Sequence, residues 1–172
     1  MKFPDLTPLL GPVQWATVGA AATRLYMPER ATHDLDVAIR AEEAAEARQR
    51  LQAAGFAYQG ELAIGGSSWL TPEGFAVDVV ECLEPWFAQA VAEAQQNRDL
   101  QGLPVLPLPY LVLMKLQSGR VQDVADVTRM LGPASEETLA SVRAVFARYL
   151  PGETEDLESL ITLGQWEMMV RE

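Results

Sequence analysis

Two aspartates stand one residue apart in the apolar run "DLDVAIR", Asp34 to Arg40. In an extended chain, side chains at i and i+2 leave from the same face, so both carboxylates project together while Leu35 and Val37 face the core. Like charges held so close are costly unless something compensates them. A third acid, Asp78, lies in "FAVDVVE", again between apolar neighbours, Val77 and Val79. If the two segments pair side by side, three carboxylates converge on one spot. A divalent cation would remove their repulsion, because Mg²⁺ takes carboxylate and phosphate oxygens together. The competing reading is that the acids alternate outward on a half-solvated sheet, which accounts for a lone Asp-x-Asp without any ligand.

The chain has 172 residues and a formal net charge of -11. Its length suits one domain with a small helical appendage, and an apolar content of 49% is enough for a real core. The acidic balance argues against broad nonspecific nucleic-acid binding, leaving only a local basic patch for such a partner. Lys2 and Lys115 are the only lysines, against eleven arginines, which draws attention to Lys115. No apolar run reaches the length of a membrane span, and the N-terminus lacks the long apolar segment of a signal peptide, so the expected location is cytoplasmic. The single cysteine, Cys82, fits a reducing compartment and reads as a small core residue.

The elements that must carry these residues follow from periodicity and breakers. Val13–Gly19 reads as a buried strand ending in glycine, and Ala20–Met27 as a short helix stopped by Pro28. Asp34–Arg40 alternates as a second strand, and Glu42–Gly55 is a helix with early acids, late arginines and a glycine stop. Phe56–Glu81 reads as strands broken by glycine, with a hairpin turn at Thr71–Gly74. Trp86–Arg98 is helical, and the proline-rich Leu103–Pro109 suits a sheet edge. From Tyr110 onward the period is helical, giving Tyr110–Gly119, Val121–Leu131, Ser135–Leu150 with a serine cap, and Glu155–Val170. The expected organisation is a mixed α/β (α+β) core over residues 1–109 followed by a C-terminal helical region over 110–172. Trp15, Trp86, Phe87, Trp166, Met168 and Met169 read as core or interhelix packing, although the final helix could equally dock a partner chain. "GGSSW", Gly65 to Trp69, reads as a hairpin bend, since it lacks the lysine and following helix of a P-loop. His33, the only histidine, reads as a turn residue pointing away from the aspartate pair.

The stretch "TVGAAATRLYMPERATHDLDV" resembles the entry motif of the DNA polymerase β-like nucleotidyltransferase superfamily: a strand ending in glycine, a short helix, then Asp-x-Asp on the next strand. Asp78 matches the third acid, on a later strand. In particular the chain resembles the minimal, abortive-infection (AbiEii-like) nucleotidyltransferase toxins. Those carry a Thr or Ser two residues before the acids, here Thr32, and a downstream K-L-x-x-G-R…D-x-x-D signature, here "KLQSGRVQDVAD", Lys115 to Asp126. The resemblance spans about residues 13 to 131. One departure stands out: superfamily members have Gly-Gly or Gly-Ser where this chain has Gly19-Ala20, so the hydroxyl that would contact a triphosphate is missing.

The resemblance implies a nucleotidyltransferase-like fold and a set of roles. Asp34, Asp36 and Asp78 would bind Mg²⁺ or Mn²⁺ with a nucleoside triphosphate as substrate, and Asp78 could instead act as base on the attacking hydroxyl. Gly19 and Ala20 would let backbone approach a phosphate, with Thr32 beside the acids. Lys115 would contact phosphate as a point charge, or else be an exposed helix lysine lying past Leu111 and Leu116. Arg120 and Asp123 would form an ion pair or line the nucleotide pocket, with Asp126 on the same helix face. Arg24 and Arg30 would border the pocket, or else be ordinary surface arginines. Three functions stay open from sequence. The first is an Mg²⁺-dependent transferase acting on a protein, tRNA or small-molecule hydroxyl, as a toxin–antitoxin component or a housekeeping enzyme. The second is a degenerate member of the fold that binds a protein partner. The third is a sugar- or metabolite-binding domain with unrelated acids.

Overall fold

The computed structural model describes residues 2–28 and 31–171. The chain separates into two compact units, one made of Met1–Ala22 and Arg30–Leu106, the other of Thr23–Glu29 and Pro107–Glu172.

The first unit is built on a five-stranded mixed sheet: β1 Trp15–Thr17, β2 Asp34–Arg40, β3 Ala57–Glu61, β4 Gly66–Leu70 and β5 Ala76–Cys82. Their spatial order is β1-β2-β5-β4-β3, with β2 and β5 parallel and every other pair antiparallel. A parallel pair needs a long crossover. Here it contains the helix α3 (Ala44–Ala53) and the β3–β4 hairpin. Leu35, Val37, Ile39, Val77, Val79 and Trp69 share one sheet face and pack with Ala47 and Leu51 of α3 and with Leu6 and Leu10. Leu10 closes α1 (Thr7–Leu10), a single helical turn. Its signal is local: Thr7 donates its N–H to Asp5 Oδ1 at 2.9 Å, and Pro8 occupies the first turn. Helix α4 (Phe87–Ala94) buries Phe87, Ala90, Val91 and Ala94 and packs against β1 and β2. Val105 bridges to Thr17 in parallel, so the proline-rich segment lines the β1 edge as its composition suggested.

The helix after β1 is shorter than its sequence implied. Helix α2 covers Gly19–Thr23, and the chain then turns, with the N–H groups of Tyr26 and Met27 both donating to the Thr23 carbonyl. In "GGSSW" the bend lies at residues 63–65, where Gly65 N–H donates to Leu62 O, and Gly66 already opens β4. Cys82 is buried, and burial pushes its thiol pKa up, as suits a core residue. Arg30 lies outside the described residues.

Among its described residues the second unit contains four α-helices, α5 Leu108–Ser118, α6 Val121–Leu131, α7 Glu136–Tyr149 and α8 Thr154–Arg171, with a 3-10 turn at Pro151–Glu153 leading into α8. Gly119, at φ 65, ends α5 in the left-handed conformation that glycine adopts freely, and Ser135 caps α7 by accepting the Thr138 N–H. Helices α6 and α8 approach at Gly132 and Gly164, where a Cβ on Gly132 would stand 2.5 Å from the Gly164 carbonyl oxygen. Arg143 of α7 forks onto Glu158 of α8, donating from Nε at 2.6 Å and Nη2 at 3.0 Å.

One expectation fails in α8. Leu157, Ile161 and Gly164, at spacings of four and three, take the packed face. That leaves Trp166, Met168 and Met169 exposed rather than in a core. Apolar residues surround this helix on several sides, so spacing alone could not say which of them would be covered. No helix among the described residues is long and apolar enough to cross a membrane.

Candidate metal centre

The register of β2 on β5 places the acids. Asp36 pairs directly with Asp78, and Asp34 pairs with Ala76 two residues back along the same face. One carboxylate oxygen from each of Asp34, Asp36 and Asp78 lies within 4.8 Å of the others, and none of the three residues is buried. Each strand keeps its apolar alternates, Leu35, Val37, Val77 and Val79, on the core side. The hydrophobic pattern that fixes the register therefore also fixes the convergence of the carboxylates.

Neighbouring groups hold this arrangement. Thr32 donates its hydroxyl to Asp34 Oδ1 at 2.6 Å, which restricts that carboxylate just before the strand begins. Gly19, at φ 60, lies against Asp36: a Cβ there would stand 2.6 Å from Asp36 Cγ and would collide with Oδ2. Only glycine meets both demands, the left-handed backbone and the close approach. The Val18 N–H donates to the Asp36 carbonyl at 2.9 Å, tying the glycine turn to β2. Ala20 follows Gly19 in α2 and supplies no hydroxyl. Ser68 pairs with Asp78 across β4–β5 and stands on the acids' face, a neighbour that sequence reading passed over because register is a long-range property.

The other expected residues belong to the second unit. Lys115 is not an exposed helix lysine; it is 4% exposed, and its Nζ donates to Asp123 Oδ1 at 2.7 Å and Asp126 Oδ2 at 3.0 Å. Asp123 also accepts from Ser118 Oγ at 2.5 Å and from Arg120 Nε at 2.7 Å. Burial alone would raise the Asp123 pKa; the hydrogen bonds from Lys115, Ser118 and Arg120 and the Lys115 charge outweigh it and hold the pKa below its usual value. Gln122 Nε2 donates to Asp126 Oδ1 at 3.2 Å. The expected Arg120–Asp123 ion pair is present, and Asp126 shares its face. Ser118 was not singled out from sequence, although its place before the helix-ending Gly119, three residues after Lys115, is a usable signal. Arg24 is part-buried in the short segment 23–28 of this unit.

A triad of hard carboxylate oxygens suits Mg²⁺ or Mn²⁺, which prefer such donors to nitrogen or sulfur. No family model matches the chain, and no curated protein matches it. Solved structures do. The chain is similar to the antibiotic-resistance factor ANT(2'')-Ia in solution, with 16% identity and a TM-score of 0.46 over 92% of this chain and 85% of that one. It is similar to the lincosamide antibiotic adenylyltransferase LnuA, solved with lincomycin bound, at 14% identity and TM-score 0.44, over 76% of this chain and 87% of that one. A CCA-adding enzyme in complex with CTP aligns at 12% identity and TM-score 0.42 over 84% of this chain, which spans 41% of that longer protein.

Proposed function

We propose that the chain is a divalent-metal-dependent nucleotidyltransferase that moves a nucleoside monophosphate from a nucleoside triphosphate onto a hydroxyl acceptor. The observation that carries this reading is the convergence of Asp34, Asp36 and Asp78 within 4.8 Å on adjacent parallel strands. Bound by these acids, Mg²⁺ or Mn²⁺ would neutralise phosphate charge and join nucleotide to protein.

The residues divide the remaining work. Asp34, restrained by Thr32, and Asp36, seated against Gly19, hold the cation. Asp78 serves as a third ligand or accepts the acceptor's proton. The acceptor oxygen forms a bond to the α-phosphorus, the bond to pyrophosphate breaks, and pyrophosphate leaves with its electron pair. Most of the rate gain in such transfers comes from positioning and charge neutralisation. Gly19 leaves backbone free to approach a phosphate. Lys115 gives two of its three N–H donors to Asp123 and Asp126, so a direct phosphate contact by its ammonium would use the third. Arg24 and Arg120 are the other proposed phosphate contacts. The acceptor is a protein side chain, a small molecule or a tRNA end, the last opposed by the net charge of -11.

A second reading, a catalytically degenerate interaction protein of the same fold, is favoured by Ala20, which lacks the hydroxyl of the resembling motif. Calorimetry with ATP, CTP, GTP and UTP in Mg²⁺ decides between them. At least one triphosphate should bind, and Asp34→Asn with Asp36→Asn should weaken it by at least about tenfold, or ~1.4 kcal/mol. The enzyme reading fails if none binds with any divalent ion. Growth arrest on expression, abolished by the same double variant, would make the protein the toxin of a toxin–antitoxin pair.

A further inference from the structure

The second half of α8 carries an apolar ridge that its own unit does not cover. Leu163, Trp166 and Val170 recur at spacings of three and four along one side of the helix, with Met169 beside them. Trp166 is 60% exposed and Val170 87%. Large apolar side chains grouped this way mark contact surfaces far more often than isolated ones do. Beside the ridge, a groove of about 360 Å³ opens between α6 and α8, walled by Val121, Val124, Ala125 and Leu163. The same surface therefore presents a projecting indole and an apolar hollow.

Two charges frame the groove, Arg129 from α6 and Glu167 from α8. Neither makes an ion pair with another described residue. The wider charge distribution narrows the choice of occupant. In a chain of net charge -11, the eleven residues from Leu160 to Val170 contain one charged side chain, Glu167. A second copy of so acidic a protein can approach most easily where acids are sparse. A two-fold contact is also self-complementary, since whatever one copy presents the other presents in return.

We propose that this surface is the contact face of a homodimer, in which Trp166 of each copy enters the α6–α8 groove of the other and Glu167 of each meets the other's Arg129. The two ion pairs set the register, and the four apolar ridge residues supply the buried area. The proposal is independent of the metal centre, because it uses residues of the second unit alone.

Light scattering on the eluting full-length chain across a micromolar concentration series tests it. The wild-type mass should rise from monomer to dimer. Trp166→Ala should weaken dimerisation by about tenfold or more, as loss of a buried interface tryptophan does. Arg129→Glu and Glu167→Arg should each weaken it, because each sets like charges against one another at both ends of the contact. Mixing the two reversed variants should restore a heterodimer, since every pair is then opposite again. Circular dichroism of each variant should match wild type, as the substituted side chains lie at the surface. A wild type that stays monomeric overturns the proposal, even if it captures some other protein. So does a dimer indifferent to Trp166→Ala, or a mixture of reversed variants that fails to recover.

Discussion

Replacing Lys115 with methionine tests the least expected feature of the helical unit. The lysine is 4% exposed, and Asp123 and Asp126 are 4% and 0% exposed. Methionine keeps most of the apolar stem and deletes the ammonium. Asp123 retains its bonds from Ser118 and Arg120, while Asp126 loses a charged donor at 3.0 Å and keeps the weaker amide bond from Gln122. Breaking a buried pair from one side costs about 3–5 kcal/mol, because the surviving charge stays desolvated. That is a large share of the ~5–15 kcal/mol that holds a typical domain together. Native-state hydrogen exchange at the amides of α5 and α6 reads the loss without requiring both units to unfold together. The deficit should shrink in acid. The Asp123 pKa is lowered from 3.8 in the fold, so its contribution is complete above that value and is lost as pH falls through the lowered one. A companion variant, Lys115→Met with Asp126→Leu, should recover much of the loss. A single variant within about 1 kcal/mol of wild type, or a deficit that does not change with pH, would refute the assignment of Lys115 to a buried charge network.

Two further substitutions probe the first unit. Gly19→Ala forces a side chain into the Asp36 carboxylate at φ 60, so Mn²⁺ affinity by calorimetry should fall at least about tenfold, beyond the ~1–2 kcal/mol left-handed backbone cost seen in melting; wild-type affinity would show that the close approach does not hold. Thr17→Val removes a buried hydroxyl, Oγ1, that has no hydrogen-bond partner among the described residues, and should raise stability by about 1 kcal/mol in chemical denaturation; a clear loss would mean that the hydroxyl is satisfied after all.

Several features of this protein are set by local sequence. The alternation in Asp34–Arg40 marks strand β2 residue for residue, because a half-buried strand must present its apolar side chains two by two. The same rule puts Asp34 and Asp36 on one face. Helix α6 likewise matches its apolar period, and Ser135 caps α7 as its type and place require. Tertiary structure decided what no local rule contains. Asp78 reaches the pair only because β5 runs parallel beside β2 with Asp78 opposite Asp36, across a crossover that carries a helix and a hairpin. From sequence Lys115 reads as a phosphate contact or an exposed helix lysine, and only the packing of α6 beside α5 closes two carboxylates over it. Trp166 reads as core or interhelix packing until Leu157, Ile161 and Gly164 claim the packed side of α8. In each case periodicity names the faces of an element, and only the contacts made by distant segments choose which face is covered and which charges meet.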